Sequence, residues 1–395
     1  MAEIAERAPP ERRSLLTDPR IRSFVIQATL LVFVVGFVWY FIDNARANLA
    51  AQHIASGFGF LNVTAGFGVS QSLIPYDETS TYGRAFVVGL LNTLLVAGLG
   101  IVLATALGFL VGIARLSKNW PVAKLAEVYV ETIRNIPLLF QILFWYLAVL
   151  ATLPPPRQSL SLFGLVFVNN RGVVVPEPVF GEGSGTVGIV FLAGIALAIA
   201  IRHWAHARQM RTGAHFPTAR TALALVLGLP LIVYLALGAP IRFELPELRG
   251  LNFANGLRII PELIALLLAL TTYTAGFIAE IVRAGILAVS KGQTEAAYSL
   301  GLSPGLTLRF VVVPQALRVI VPPLTSQYLN LTKNSSLAVA IGYPDFFALF
   351  AGTTLNQTGQ AIEIIAITMA VYLAISLATS TAMNIYNRRV MLVER

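Results

Sequence analysis

The chain has 395 residues, a formal charge of +9 and no cysteine, with 56% hydrophobic residues against 12% charged. Soluble domains carry about 25% charged residues, so this composition, with a mean hydropathy of +0.74, excludes an ordinary soluble fold. It predicts an all-α polytopic membrane protein. The missing cysteines exclude a disulfide framework and a thiolate zinc site, and the basic excess is read as cytoplasmic-loop charge rather than a nucleic-acid surface.

Eight apolar runs are predicted to cross the membrane, at about residues 21–42, 86–113, 125–150, 187–200, 222–237, 263–289, 319–350 and 362–383. A span needs about 20 apolar residues, so the fourth is short. The runs are continuous, which argues against the alternating segments of a β-barrel. The first follows "MAEIAERAPPERRSLLTDPR" and has no small-residue cleavage site after it, so it is read as a retained anchor rather than a signal peptide. The Pro- and Gly-rich stretch 151–186 is expected to be an external loop with short strands. Residues 239–261 are read either as a segment along the outer membrane surface or as an ordered loop. With the fourth and fifth spans they look like an insertion. The expected parts are therefore 1–84, 85–151, 152–261 and 262–395. No internal repeat is evident.

Arginine and lysine in short loops set the orientation. They gather before the first span (Arg7, Arg12, Arg13, Arg20, Arg22), between the second and third (Arg115, Lys118, Lys124) and between the fourth and fifth (Arg202, Arg208, Arg211, Arg220). They recur between the sixth and seventh (Lys291, Arg309, Arg318) and after the eighth (Arg388, Arg389, Arg395). Both termini are predicted cytoplasmic, and so is the polar stretch 290–314.

That stretch, "SKGQTEAAYSLGLSPGLTLRFVVVP", reads as a short helix, a turn and a second helix. Ser290 and Gln293 have capping-box spacing. Gly301 stands where a left-handed C-cap ends a helix. Ser303 and Pro304 start another, as N-cap and first-turn proline. Ala296 and Ala297 are expected to form a smooth face for another surface, with the Glu295 carboxylate beside them.

"EAAYSLGLSPGLTLRFVVVP" resembles the EAA loop of ABC importer permeases, with Glu295, Ala296, Ala297, Gly301, Val311, Val313 and Pro314 in the family's spacing. Valines replace the usual isoleucine and leucine. "GLLNTLLVAGLGIVLATALGFLVGIARLS", "ETIRNIPLLFQILFWYL", "TTYTAGFIAEIVRAGI" and "LTKNSSLAVAIGYPDFF" resemble the polar amino-acid permeases, the histidine/glutamate/glutamine/arginine/opine class. The extra first span and inserted pair look like the larger Q-type permeases of the general L-amino-acid transporters or of their glutamate/glutamine/aspartate/asparagine relatives. The resemblance implies a type I importer core and an EAA loop that docks on a separate ATPase. It implies a second homologous permease subunit, two ATPase subunits that carry ATP and Mg, a periplasmic amino-acid-binding protein, and a bacterial inner-membrane location. No cofactor is expected on this chain itself.

Two Glu-x-x-Arg pairs, Glu131/Arg134 and Glu280/Arg283, place opposite charges on single helix faces. Intramembrane charge faces a cavity or partner. These pairs are read as a structural network or inner gate, with substrate contact as the alternative. Two deeper polar clusters are candidates for the substrate pathway: Thr271, Thr272, Tyr273 and Thr274, and Lys333, Asn334, Ser335 and Ser336 in "TKNSS". The second is expected to interrupt the seventh span, since broken helices at membrane depth line cavities. Helix–helix hydrogen bonding is the competing reading of both. His203, His206 and His215 lack carboxylate or thiolate companions and are read as a loop, not a metal site. No Walker A sequence is present, and no nucleophile–base–orienter set is assembled. The alternative to an ATP-driven importer subunit is an ion-gradient-driven secondary amino-acid transporter, for which Glu131 and Glu280 are the available acids. A non-transporting scaffold is a weaker rival, since an anchor has no use for a broken span.

Overall fold

The computed structural model describes residues 19–51 and 56–390. The basic residues Arg7, Arg12, Arg13 and Arg395, used above for orientation, lie outside the described residues, and so do the side chains of Arg20 and Arg389. Seven helical segments are long and apolar enough to cross a membrane, and a bent pair makes an eighth if it is counted as one span. The described residues are mostly helical, with eight short strands added.

In chain order, α1 (Pro19–Ala51) stands apart with its apolar flank exposed. After an external segment, α2 (Tyr82–Ala114) runs to α3 (Trp120–Asn135) and α4 (Leu138–Leu143), which a π turn extends to Leu150. The third predicted span is thus two helices, bent by 107°. Pro137 explains it: proline has no N–H and forces the preceding residue out of helical geometry, and Ile136 is extended at φ −97°, ψ 125°.

The fourth span is longer than expected. α5 (Ser184–Thr212) carries Arg202, Arg208 and Arg211 within the helix rather than in a loop. It ends at Gly213, with φ +72°. The fifth span joins α6 (Thr218–Leu223), a π turn and α7 (Leu229–Ala236). Residues 239–261 are an ordered segment built of short strands. They form strands that pair with the preceding external loop: β8 (Leu257–Ile259) closes a sheet of order β1-β2-β3-β8, with β1 (Leu160–Leu162), β2 (Val166–Asn169) and β3 (Gly172–Val175). β4 (Glu177–Phe180) pairs with β5 (Ile241–Glu244), and β6 (Glu247–Arg249) with β7 (Asn252–Ala254). The strands expected in 151–186 are present.

α8 (Pro261–Leu287) is the centre of the bundle, with half of its most apolar window buried. Burial on several faces fits a helix that packs on α2, α3, α4 and α11 (Val313–Asn334). Between them, α9 (Lys291–Ser299), α10 (Pro304–Thr307) and a π turn carry the chain into α11. A tight 3-10 turn extends α11 to Ile341. α12 (Leu355–Thr358) follows a π turn, and α13 (Ala361–Val390) closes the chain.

Membrane helices approach closely through small residues. A Cβ on Gly112 would stand 2.7 Å from the Ala279 carbonyl oxygen, and one on Gly108 2.6 Å from Ile278. Gly112→Leu is therefore expected to force α2 from α8 at a cost of about 2 kcal/mol or more. Loss of the monodisperse peak in detergent chromatography would report it, while Gly98→Leu, which meets nothing within 4 Å, leaves that peak intact.

Candidate functional site

The polar stretch folds as expected into helix, turn and helix. Its N-terminus differs in detail. Ser290 is the N-cap at φ −62°, ψ 143°, but its side chain caps nothing. The Gln293 N–H donates to the Ser290 carbonyl at 3.1 Å. The Gln293 side-chain oxygen instead accepts from Gln315 Nε2 at 3.3 Å. The capping box gives way to a tether between α9 and α11. At the C-terminus, the Gly301 N–H donates to Tyr298 and the Leu302 N–H to Ala297. With Gly301 at φ +78°, this is the paired-bond Schellman closure.

The two alanines do not share an outer face. Ala297 is 4% exposed and packs inward, while Glu295, Ala296 and Leu300 face out. The outward surface is therefore Glu295, Ala296, half-exposed Tyr298 and the Leu300 side chain, which is 82% exposed. Pro314 follows the π turn Leu308–Val312, where the Val313 N–H reaches back to Leu308. Proline fits there because it supplies no N–H to a ladder already out of register.

The charge pairs behave differently from one another. Arg283 holds Glu280 at 2.6 Å, and Arg115 from the end of α2 bonds the same carboxylate. Arg115, read above as loop charge, thus locks α2 to α8. Glu131 and Arg134 form no ion pair among the described residues. Both are exposed, and Arg134 lies 5.1 Å from the centre of the Phe277 ring. Glu280→Gln should weaken the triad and cost about 2 kcal/mol, less than a fully buried pair. A lowered SDS-titration midpoint of the purified protein would measure it, and Glu131→Gln should shift that midpoint by no more than about 0.5 kcal/mol.

The "TTYT" cluster is mostly internal to the bundle. The Thr272 hydroxyl donates to Leu268 at 2.7 Å within its own helix, and its carbonyl accepts from Tyr129 of α3 at 2.7 Å. Tyr273 packs on Phe277 with ring centres 5.0 Å apart. Thr274 is buried, and so is Thr271, whose Oγ1 has no protein partner. Thr272→Val is expected to leave transport intact and to change stability by no more than about 1 kcal/mol. A large rise in KM for transport would restore Thr272 to the substrate pathway.

Within "TKNSS" the α-helix ends at Asn334 and tightens into a 3-10 helix over Ser335–Ile341, so the cluster changes the helix without ending the helical run. Ser335 donates to Thr332 at 2.8 Å and Ser336 to Lys333 at 2.8 Å, both along the helix. Asn334 is half-buried and Lys333 exposed. The interruption lies further on, at Gly342–Asp345, where Gly342 adopts φ +76° and Pro344 cannot continue a helix.

Sequence reading missed the residues that fix this break. Asn92 Nδ2 donates to Pro344 at 2.9 Å and to Gln71 at 3.0 Å. The Phe346 N–H donates to Thr93 Oγ1 at 2.9 Å. The Asp345 carboxylate accepts from the Ala348 N–H at 2.8 Å and from the Tyr372 hydroxyl at 3.1 Å. Asn92, Thr93 and Asp345 are all fully buried. Gly89 lets α2 approach, since a Cβ there would lie 2.9 Å from the Phe346 Cα. Polar residues inside an apolar run were the available signal. Beside the break, a cleft of about 530 Å³ opens between residues 67–70 and the Gly342–Asn356 segment.

A bundle crossed by a broken helix, with a capped soluble helix on one end, defines a multi-pass transport subunit rather than an anchor. Residues 100–392 match the family model of the binding-protein-dependent transport system inner membrane component. The chain belongs to that family. It is 54% identical over 383 residues, covering 97% of this chain and 96% of the relative, to the general L-amino acid transport system permease protein AapQ of Rhizobium johnstonii. It is 54% identical over 378 residues to the putative amino-acid ABC transporter permease protein YhdX of Escherichia coli, covering 96% of each chain. It is 45% identical over 413 aligned positions, again 96% of each, to the glutamate/glutamine/aspartate/asparagine transport system permease protein BztB of Rhodobacter capsulatus.

Proposed function

We propose that this chain is the permease subunit of an ATP-driven importer that carries L-amino acids from periplasm to cytoplasm. What supports the substrate class is near-full-length similarity to the L-amino acid permease AapQ. On this reading it sits in the bacterial inner membrane beside a second homologous permease, with both termini cytoplasmic. Two ATPase subunits bind ATP and Mg, and a periplasmic binding protein delivers substrate. Glu295, Ala296, Ala297, Gly301 and Pro314 form the coupling loop. ATP closes the ATPases, α9 follows the surface it sits on, and the spans alternate between outward and inward access.

The substrate path runs past α8 and the Gly342–Asp345 break, beside the open cleft; of the "TTYT" hydroxyls, Thr272 is bonded within its own helix and Thr271 has no protein partner. The ion-gradient alternative has lost its better acid, because two arginines already hold Glu280. The test is gentle purification from the native membrane, identification of co-purifying chains, and ATP hydrolysis with and without binding protein and amino acids. An associated ATPase with substrate-stimulated hydrolysis is expected. A lone chain that carries amino acids down an ion gradient without ATP would sink the reading.

A further inference from the structure

The inserted helix pair has one end unlike the rest of the bundle. Residues 183–240 contain four arginines, three histidines and no acidic residue. Every arginine among them, Arg202, Arg208, Arg211 and Arg220, is exposed, and none has an ion-pair partner among the described residues. Between α5 and α6–α7 lies a groove of about 420 Å³, walled by Ile195, Ile199, Ala222 and Val226 and closed at its basic end by Arg202 and Thr218. The walls are apolar and the mouth is cationic. Close by, Trp204 meets Phe216 edge-on at 5.5 Å, and Arg208 lies 5.4 Å from the Trp204 ring centre. Tryptophan of this kind sits at headgroup depth, so the mouth of the groove opens where phosphates lie and its walls where acyl chains lie.

We propose that this groove is a binding site for an anionic phospholipid of the cytoplasmic leaflet. The phosphate takes the Arg202 guanidinium and the Thr218 hydroxyl, and one acyl chain fills the space beside Ile199 and Ala222. Basic pockets between membrane helices on the cytoplasmic side suit anionic headgroups. The lack of any acid in the pair leaves nothing within it to compete for Arg202. A free phosphate would use the mouth and leave the apolar walls uncovered. A protein helix would leave the guanidinium unpaired unless it brought its own acid.

The test uses the whole transporter, purified from its native membrane and placed in phosphatidylcholine nanodiscs with either phosphatidylglycerol or cardiolipin. Native mass spectrometry counts the lipid retained on this chain. Wild type should keep one anionic lipid in preference to phosphatidylcholine. Arg202→Gln should weaken that retention about fivefold, the worth of one basic residue near a membrane surface. Arg202→Lys should restore most of it, and Ala222→Phe should displace the lipid without changing charge. Arg211→Gln, outside the groove, serves as the folding and charge control and should retain the lipid. Equal retention of phosphatidylcholine would overturn the proposal. So would displacement of the lipid by inorganic phosphate alone, or cross-linking only to protein from a photoreactive residue at Ile199.

Discussion

Asp345→Ala is expected to be the most damaging single change inside the bundle. The side chain is fully buried, and its two oxygens satisfy the Ala348 N–H and the Tyr372 hydroxyl. Removing it takes the acceptor from both donors, which are themselves half-buried, at about 1–3 kcal/mol each when a buried group loses its partner. A loss of about 3 kcal/mol should lower the SDS-titration midpoint more than any other change named here. Tyr372→Phe removes one donor together with its bond and should cost about 1 kcal/mol. Asp345→Asn keeps an acceptor oxygen and should fall between the two. If Asp345→Ala unfolds no more readily than Tyr372→Phe, the carboxylate does not organise the break. Transport should fall with stability, because the same bonds shape the segment beside the open cleft.

The change in the seventh span was legible at "TKNSS", where α11 gives way to a 3-10 helix, while the sharper break at Gly342–Asp345 was not. "TKNSS" looks like an interruption because five small or polar residues stand in an apolar run. Hydroxyls that bond three or four residues back are compatible with a helix, and Ser335 and Ser336 do that. The pair that ends the whole helical run, Gly342 and Pro344, carries backbone rather than side-chain signals. Hydropathy located the seven helices long and apolar enough to cross, and the bent pair, because length and apolarity decide that property locally. It could not show the 107° bend after Asn135, which depends on one proline. Nor could it show that residues 239–261 pair with β3 and β4, a contact between segments separated by two spans. Asn92, Thr93 and Asp345 escaped notice for a related reason. Their value lies in partners some 250 residues away for the first two, and in Tyr372 for the third. The helix, turn and helix of residues 290–314 were legible because the information is local: a glycine at the turn and a proline at the next start.

Replacing Gly301 by valine is expected to uncouple the transporter while leaving it assembled. Nothing lies within 4 Å of a Cβ built there, so the effect is not a clash. It is conformational: the residue sits at φ +78°, a region closed to β-branched side chains. The closure that joins Gly301 to Tyr298 and Leu302 to Ala297 should open, at about 1–2 kcal/mol. That cost falls on an exposed turn and not on the buried bundle, so detergent chromatography and the SDS midpoint should stay close to wild type. What changes is the direction of α9 relative to α10, and with it the position of Glu295, Ala296 and Leu300 toward a partner. A coupling energy of this size corresponds to about a tenfold loss of substrate-stimulated ATP hydrolysis in the reconstituted complex. Gly301→Asn should recover much of it, because asparagine enters the left-handed region more readily. Glu295→Ala supplies the complementary test. The Glu295 side chain has no bond partner among the described residues of this chain, so its loss can matter only through a second chain. If Glu295→Ala and Gly301→Val both transport at the wild-type rate, α9 is a connector and the coupling surface lies elsewhere.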